Sequence, residues 1–148
     1  MDTSEFLLLF PGLERCRWGL TSPEAVTYNC ISWAAEDQRR RWWEPAPSFY
    51  WPPGVPREYS VEAYKGAFEQ IGYTVCGNAA FEPGLQKIAL YAIDSEPQHA
   101  ARQLPDGAWT SKIGIADDIM HETLESIEGD GYGRVVLVMQ RLSRVAIS

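Results

Sequence analysis

The sequence predicts an α+β fold in which N-terminal helices pack on a four- to five-stranded antiparallel sheet. Apolar residues recur at helical spacing in residues 30–41 and 61–71. In the second half of the chain, residues 87–94 and 134–142 form apolar, branched runs of strand length. No repeat and no low-complexity linker divides the chain, so we expect a single domain over residues 1–148.

The helix that bears on function begins at Cys30. Residues 5–20 are typical of a short apolar helix or strand followed by irregular chain. Asn29 is a good N-cap residue because its side chain accepts hydrogen bonds from first-turn N–H groups. Trp33 and Ala34 follow Cys30 at positions i+3 and i+4. The sequence therefore predicts an amphipathic helix whose buried stripe begins with the cysteine itself.

The segment after this helix is rich in proline and aromatic residues. Five prolines in residues 45–56 exclude a helix or a central strand. Large rings should pin the segment to the body as an ordered loop: Trp42, Trp43, Phe49, Tyr50 and Trp51. In an enzyme, such a loop beside the Cys30 helix would form the wall of a groove.

Capping and periodicity predict the remaining elements. In order, they are a helix over 61–71 that begins after Ser60 and stops at Gly72, strands over 73–76 and 87–94, a hairpin at Pro105-Asp106-Gly107, a helix over 117–129 and a central strand over 134–142. The helix over 117–129 depends on apolar positions that would face inward, namely Ile119, Leu124 and Ile127.

The hairpin register places His99 and Ser111 on one face of the sheet. A three-residue turn pairs position 103 with 109, 101 with 111 and 99 with 113. Because side chains alternate along a strand, one face carries His99, Ala101, Gln103, Trp109, Ser111 and Ile113. Ser111 then lies diagonally from His99, within reach of a hydrogen bond or of one bridging water.

If the Cys30 helix packs on the His99 face, its thiol meets an imidazole. A helix N-terminus and an adjacent imidazolium both stabilise the thiolate, which is the attacking species. First-turn backbone N–H groups would face the oxyanion of a tetrahedral intermediate, where Asn29 could supply a further donor. This order of residue types indicates nucleophilic catalysis by cysteine.

Two stretches carry a resemblance to a known superfamily. "YNCISWA" (28–34), followed much later by "HAARQLPDGAWTSKIG" (99–114), resembles the papain-like cysteine hydrolases, in particular their compact bacterial NlpC/CHAP-type branch. The chain is also similar to an uncharacterised family of small bacterial domains that shares the pattern YNC..WA and HAARQL.DG.WTSK.G. The papain-like resemblance implies a nucleophile at the start of a helix, a histidine that opens a strand, and a third polar residue on the next strand, where Ser111 stands.

The predicted function is hydrolysis of an amide or peptide bond, as an amidase, peptidase or deamidase acting on a peptide or protein. Cys30 is the expected nucleophile, His99 the general base and then acid, and Ser111 the residue that orients His99. The oxyanion or the substrate is expected to bind at Asn29, Trp33, Trp43, Trp51 and Gln103. Residues Asp117, Asp118 and His121 are alternatives for orienting His99. A second hypothesis is a non-catalytic module that binds a protein partner, as an antitoxin or immunity-type protein does.

Composition excludes several other classes. A net charge of -7 argues against binding to nucleic acid or to a membrane surface. The apolar run over 6–10 is too short for a signal sequence or a span, so we expect a cytoplasmic protein. Three cysteines without a CxxC pair predict neither a disulfide framework nor a zinc site, and Cys30, His99 and His121 lack metal-ligand spacing. The predicted chemistry needs no metal and no organic cofactor.

Overall fold

A computed structural model describes residues 3–22, 30–36, 50–113 and 118–143. Its helices are α1 (Thr3–Leu9), α2 (Cys30–Ala34) and α3 (Val61–Gln70), and short 3-10 helices cover Pro11–Arg15 and Glu125–Ile127. Its strands are β1 (Trp18–Ser22), β2 (Thr74–Val75), β3 (Leu85–Ile93), β4 (Glu96–Gln103), β5 (Trp109–Lys112), β6 (Asp118–His121) and β7 (Arg134–Leu142). The strands form one antiparallel sheet in the order β1-β6-β5-β4-β3-β7-β2.

The predicted α+β fold, papain-like and NlpC-like with N-terminal helices on a four- to five-stranded sheet, is wrong. The described residues form a seven-stranded sheet flanked by short helices. Two of these strands, β1 and β6, were not expected. Among the described strands, β1 pairs with β6 alone, through rungs such as Trp18↔His121, which join segments far apart in the chain. Such pairing leaves no local signal in the sequence.

The helix predicted over 117–129 is also wrong. Its first half is strand β6, which lies between β5 and β1, and its second half contains the 3-10 helix Glu125–Ile127. The apolar positions that suggested a helix are buried all the same: Ile119, Leu124 and Ile127. Burial was therefore predicted correctly, but pairing on both sides made the segment a strand.

Two cores lie on opposite faces of the sheet. Helices α2 and α3 cover one face, which we call the α2 face, where Cys30, Phe68, Leu90 and Ala100 share a cluster. Helix α1 and the two 3-10 helices cover the other face, which we call the α1 face. The cluster there contains Phe6, Phe10, Leu13, Ala89, Tyr91, Ala101, Trp109, Ile119, Leu124 and Ile127. The buried apolar residues of the strands therefore face one of two cores.

Local signals predicted several elements correctly. The Ser60 hydroxyl accepts a hydrogen bond from Ala63 N at 3.1 Å and caps α3. The β4–β5 hairpin turns through Gly107, whose φ of +92° suits a residue without Cβ, and it brings Gln103 opposite Trp109. Strand β7 has the predicted extent and lies between β3 and the two-residue strand β2. No helix in the described part of the chain has the length and apolarity needed to cross a membrane.

Candidate functional site

The candidate site lies where β4 and β5 separate. Beyond the hairpin turn, these strands pair only through Gln103↔Trp109 and Arg102↔Thr110. On its other side, β4 continues to pair with β3, through rungs that include Tyr91↔His99. The predicted rungs from 101 to 111 and from 99 to 113 are not among the pairs of the described strands. The β4 backbone at residues 99–101 therefore borders a gap in the ladder.

The Cys30 thiol approaches this part of β4 from the α2 face. Cys30 is the first residue of α2 and is 8% exposed. Burial raises its pKa to about 11, although hydrogen bonds to the backbone of Ala100, Ile31 and Cys30 itself and the charge of Lys112 act in the opposite direction. Cys30 is therefore a neutral thiol near pH 7, and its sulfur contacts the β4 backbone.

His99 lies in the α1-face environment and has an unusual set of contacts. Its fully buried ring stacks on Tyr132, with centroids 4.1 Å apart and an interplanar angle of 6°, and it packs at 5.5 Å against Tyr91. Neither Nδ1 nor Nε2 has a hydrogen-bond partner among the described residues. Burial, with a smaller contribution from His121, lowers the pKa of His99 well below its usual value. The imidazole is therefore neutral, and the described residues do not satisfy its two nitrogens.

The structure brings Cys30 and His99 to the same stretch of β4 without joining them. The thiol hydrogen-bonds to the backbone of Ala100, the residue directly after His99, but the imidazole nitrogens have no bond to it. Successive side chains point to opposite faces, so Ala100 packs beside Cys30 while His99 faces Tyr132. Burial and, to a smaller extent, Cys30 raise the pKa of Tyr132, the residue whose ring stacks on His99.

Ser111 forms a pair with His121. Its Oγ lies 2.8 Å from His121 Nε2, and His121 Nδ1 lies 2.9 Å from the Thr123 carbonyl oxygen. A carbonyl can only accept, so Nδ1 carries the proton and Ser111 donates to Nε2. Burial lowers the pKa of His121 to about 4, against an upward effect of the Thr123 carbonyl. Ser111 shares the α1-face environment with His99, as predicted for this hairpin, but its bonded histidine is His121.

The predicted substrate-binding residues hold elements together. Trp33 donates from Nε1 to Thr110 Oγ1 at 3.1 Å and joins α2 to β5. Trp51 is buried, donates to the Pro56 carbonyl at 3.1 Å, and packs against Tyr64 of α3 with centroids 5.3 Å apart.

The side chain of Gln103 also forms hydrogen bonds that stabilise the fold. Its Nε2 donates to the carbonyls of Ala79 at 3.1 Å and Gly107 at 3.4 Å, and these hydrogen bonds join the hairpin to a neighbouring loop.

Asp118, an alternative partner for His99, pairs in register with Lys112 on the α2 face. Asn29, Trp43 and Asp117 lie outside the described residues.

Sequence reasoning missed two residues that shape this region. Tyr132 stacks on His99 but comes from a loop after the second 3-10 helix, and no local pattern marks it as a neighbour. Arg102 contacts Trp33 through a hydrogen bond from Nε to the carbonyl at 3.3 Å. Alternation along "HAARQ" could have placed Arg102 on the face opposite His99. In residues 3–22, 30–36, 50–113 and 118–143, no cluster of three or more His, Cys, Asp or Glu side chains could hold a metal ion.

The chain matches a known protein family over most of its length. The family described as Domain of unknown function (DUF7689) matches residues 19–140. The chain belongs to this DUF7689 family. The matched range of the DUF7689 domain includes Cys30, His99, Ser111 and His121, so the whole candidate site lies inside it. No curated protein and no solved structure matches the chain significantly. The resemblance to papain-like hydrolases stays a prediction.

Proposed function

We propose that this DUF7689 protein is a cytoplasmic cysteine hydrolase that cleaves an amide or peptide bond, with Cys30 as nucleophile and His99 as base. The observation that carries the proposal is the buried His99 ring. The described residues supply no partner for either of its nitrogens, and it adjoins Ala100, the residue that contacts the thiol. A buried polar group without a partner costs about 1–3 kcal/mol, and such groups call for a catalytic or structural explanation. Among the described residues, no hydrogen bond gives His99 a structural role.

The gap between β4 and β5 supports an approach of the two groups. His99 projects from β4 on the α1 face, Cys30 approaches β4 from the α2 face, and a continuous ladder between β4 and β5 would keep the two side chains apart. The strands pair at only two rungs, so the backbone beside Ala100 is not closed off by β5. The proposal requires the imidazole to rotate toward this gap, where it would accept the thiol proton.

The charges favour general-base catalysis over a preformed ion pair. Burial raises the pKa of Cys30 to about 11 and lowers the pKa of His99, so both groups are neutral near pH 7. His99 would accept the thiol proton as sulfur bonds to the carbonyl carbon. The imidazolium then protonates the departing amine as the C–N bond breaks, which leaves a thioester. Water, deprotonated by His99, hydrolyses the thioester and restores the thiol.

Two further features fit the proposal. Backbone hydrogen bonds of Cys30 and Ile31 already point at the sulfur, so the same N–H groups could donate to an oxyanion formed there. Asn29 is the predicted side-chain donor. Cys16, Cys30 and Cys76 are all free, which suits a reducing cytoplasm.

Labelling with a peptide vinyl sulfone tests the proposal. We expect the probe to modify Cys30 at neutral pH, and His99→Gln to slow this reaction at least about tenfold. The half-buried Cys16 and Cys76 serve as internal controls, and Gln98→Ala is the matched change at a neighbouring position of β4. The proposal fails if Cys30 reacts no faster than the two control cysteines and His99→Gln changes nothing.

Two observations favour the second hypothesis, a module that binds a protein partner. Helix α1 exposes two neighbouring leucines, Leu8 at 82% and Leu9 at 55%, and Cys30 has the burial of a core residue. The hypotheses differ on Cys30→Ala, which removes hydrolysis but leaves α1 unchanged. A binding module would show no vinyl sulfone reaction at Cys30.

A further inference from the structure

Among the described strand residues, three buried or half-buried cations lie on the α2 face, and two of them stand beside a carboxylate. Arg141 forms an ion pair with Glu36, with Nη2 and Oε1 2.6 Å apart. Lys112 stands opposite Asp118 in the β5–β6 register, and both side chains are fully buried. Arg102 has no carboxylate at ion-pair distance within the described ranges. Glu36 and Asp118 act on it only at longer range.

The contacts of Arg102 use one edge and one face of its guanidinium. Nε donates to the Trp33 carbonyl at 3.3 Å, and the guanidinium carbon lies 5.0 Å from the centre of the indole. Trp33 is itself fixed by Thr110. For the two terminal nitrogens, the described residues supply no hydrogen-bond partner. Burial lowers the pKa of Arg102, but a guanidinium keeps its charge near neutrality.

A guanidinium held in this way is suited to a carboxylate. Its terminal N–H groups form a planar fork that matches two carboxylate oxygens. Packing on Trp33 restricts the side chain, so little rotamer freedom is left to lose on binding. The side chain is half-buried, which strengthens its attraction for an anion while leaving it accessible.

The guanidinium of Arg102 lies near Cys30, the candidate nucleophile. Ala100, which contacts the thiol, and Arg102 are two residues apart on one face of β4, a separation of about 7 Å. Cys30 and Trp33 are one helical turn apart in α2 and lie on the same side of it. The separation of about 7 Å between Ala100 and Arg102 corresponds to roughly one or two residues of a bound peptide.

We infer that Arg102 binds a carboxylate of the substrate, so that the bond cleaved lies within one or two residues of a negative charge. The carboxylate is either the end of a peptide chain or an acidic side chain. This inference rests on the proposed function of Cys30. It adds a substrate class, anionic amides and peptides, to the reaction.

Paired alkylating agents test the inference at the thiol. Iodoacetate and iodoacetamide have nearly the same size, but only iodoacetate is charged, so the ratio of their rates measures the local preference for an anion. We expect this ratio to be about tenfold higher at Cys30 than at Cys16 or Cys76, and to fall to the control value in Arg102→Gln. Arg102→Lys should keep part of the preference because the charge remains. High salt should lower the ratio.

An NMR titration separates failure of the inference from failure of the proposed function. If Cys30 reacts with neither reagent, the proposed hydrolase function is wrong. The Arg102 Nε–H resonance still reports whether Arg102 binds an anion. We expect it to shift with tens of millimolar N-acetylalanine, which has a chain-end carboxylate, or N-acetylglutamate α-amide, which has a side-chain carboxylate, but not with neutral N-acetylalanine amide. The anion that shifts the Arg102 resonance more shows whether Arg102 prefers a chain-end carboxylate or a side-chain carboxylate. The inference is overturned if no anion shifts the resonance, or if a folded Arg102→Gln protein keeps the wild-type ratio.

Discussion

The Ser111 hydroxyl donates to His121 Nε2 across 2.8 Å, in a pair that is completely buried between β5 and β6. The Thr123 carbonyl fixes the tautomer of His121 by accepting from Nδ1. The pair lies in the same environment as His99, but it does not use either His99 nitrogen. It joins β5, which borders the gap, to β6 on the side away from β4.

Removal of either member of this pair should destabilise the protein. Ser111→Ala leaves the His121 lone pair buried and unsatisfied, and His121→Phe does the same to the Ser111 hydroxyl. We expect each change to lower the free energy of unfolding by about 1–3 kcal/mol. The double variant should lose less than the sum of the two, by at least about 0.5 kcal/mol. Urea unfolding of the four proteins measures this coupling, and strictly additive losses would rule out the bond.

Acid should destabilise the fold through His99 and His121. Burial lowers the pKa of both in the folded state, that of His121 to about 4, whereas an unfolded histidine titrates near 6.5. The unfolded chain therefore binds more protons as pH falls below about 6.5, so the stability present above that pH is lost on acidification. Each histidine should contribute up to about 1.4 kcal/mol per pH unit in this window.

Urea unfolding at about pH 7, 6 and 5 checks this slope. His99→Gln and His121→Gln should each reduce it, because each removes one group that protonates only on unfolding. Solvent-exposed carboxylates are mostly ionised throughout that range and contribute little. If both variants retain the wild-type slope, the histidines are not buried as described.

The hydrogen bond from Trp33 to Thr110 should stabilise the protein by joining α2 to β5. Trp33→Phe keeps a ring under Arg102 but removes the donor to Thr110, and we expect it to lower the free energy of unfolding by about 0.5–1.5 kcal/mol. Thr110→Val, which removes the acceptor, should have little additional effect in the Trp33→Phe background. Thermal or urea unfolding gives both values. Undiminished stability in Trp33→Phe would show that this bond does not help to hold α2 on the sheet.

The correct sequence predictions concern features that neighbouring residues determine. Ser60 caps α3 through a bond three residues along, and Gly107 permits the hairpin turn that pairs Gln103 with Trp109. The common environment of His99 and Ser111 followed from the same turn and from strand alternation. These features need no knowledge of the rest of the chain.

The site itself depends on contacts that local patterns do not encode. The bond from Ser111 to His121 requires β6 to pair with β5, and the sequence pattern there is equally compatible with a helix. Alternation placed His99 on one face, but nothing in the sequence shows that α2 covers the other. The early end of β4–β5 pairing was also unpredictable, because the ladder stops without a proline or a glycine in β4 at residues 99–101.

The central claim is that His99 takes the proton of Cys30, and the pH dependence of iodoacetamide alkylation at Cys30 tests it most directly. Burial raises the pKa of Cys30 to about 11, so reaction through thiolate alone should accelerate about tenfold per pH unit through neutrality. Removal of the proton by neutral His99 should instead leave the rate nearly flat between about pH 6 and 9. We expect the flat profile in the wild-type chain and the steep one in His99→Ala. A wild-type profile as steep as that of His99→Ala would contradict the claim.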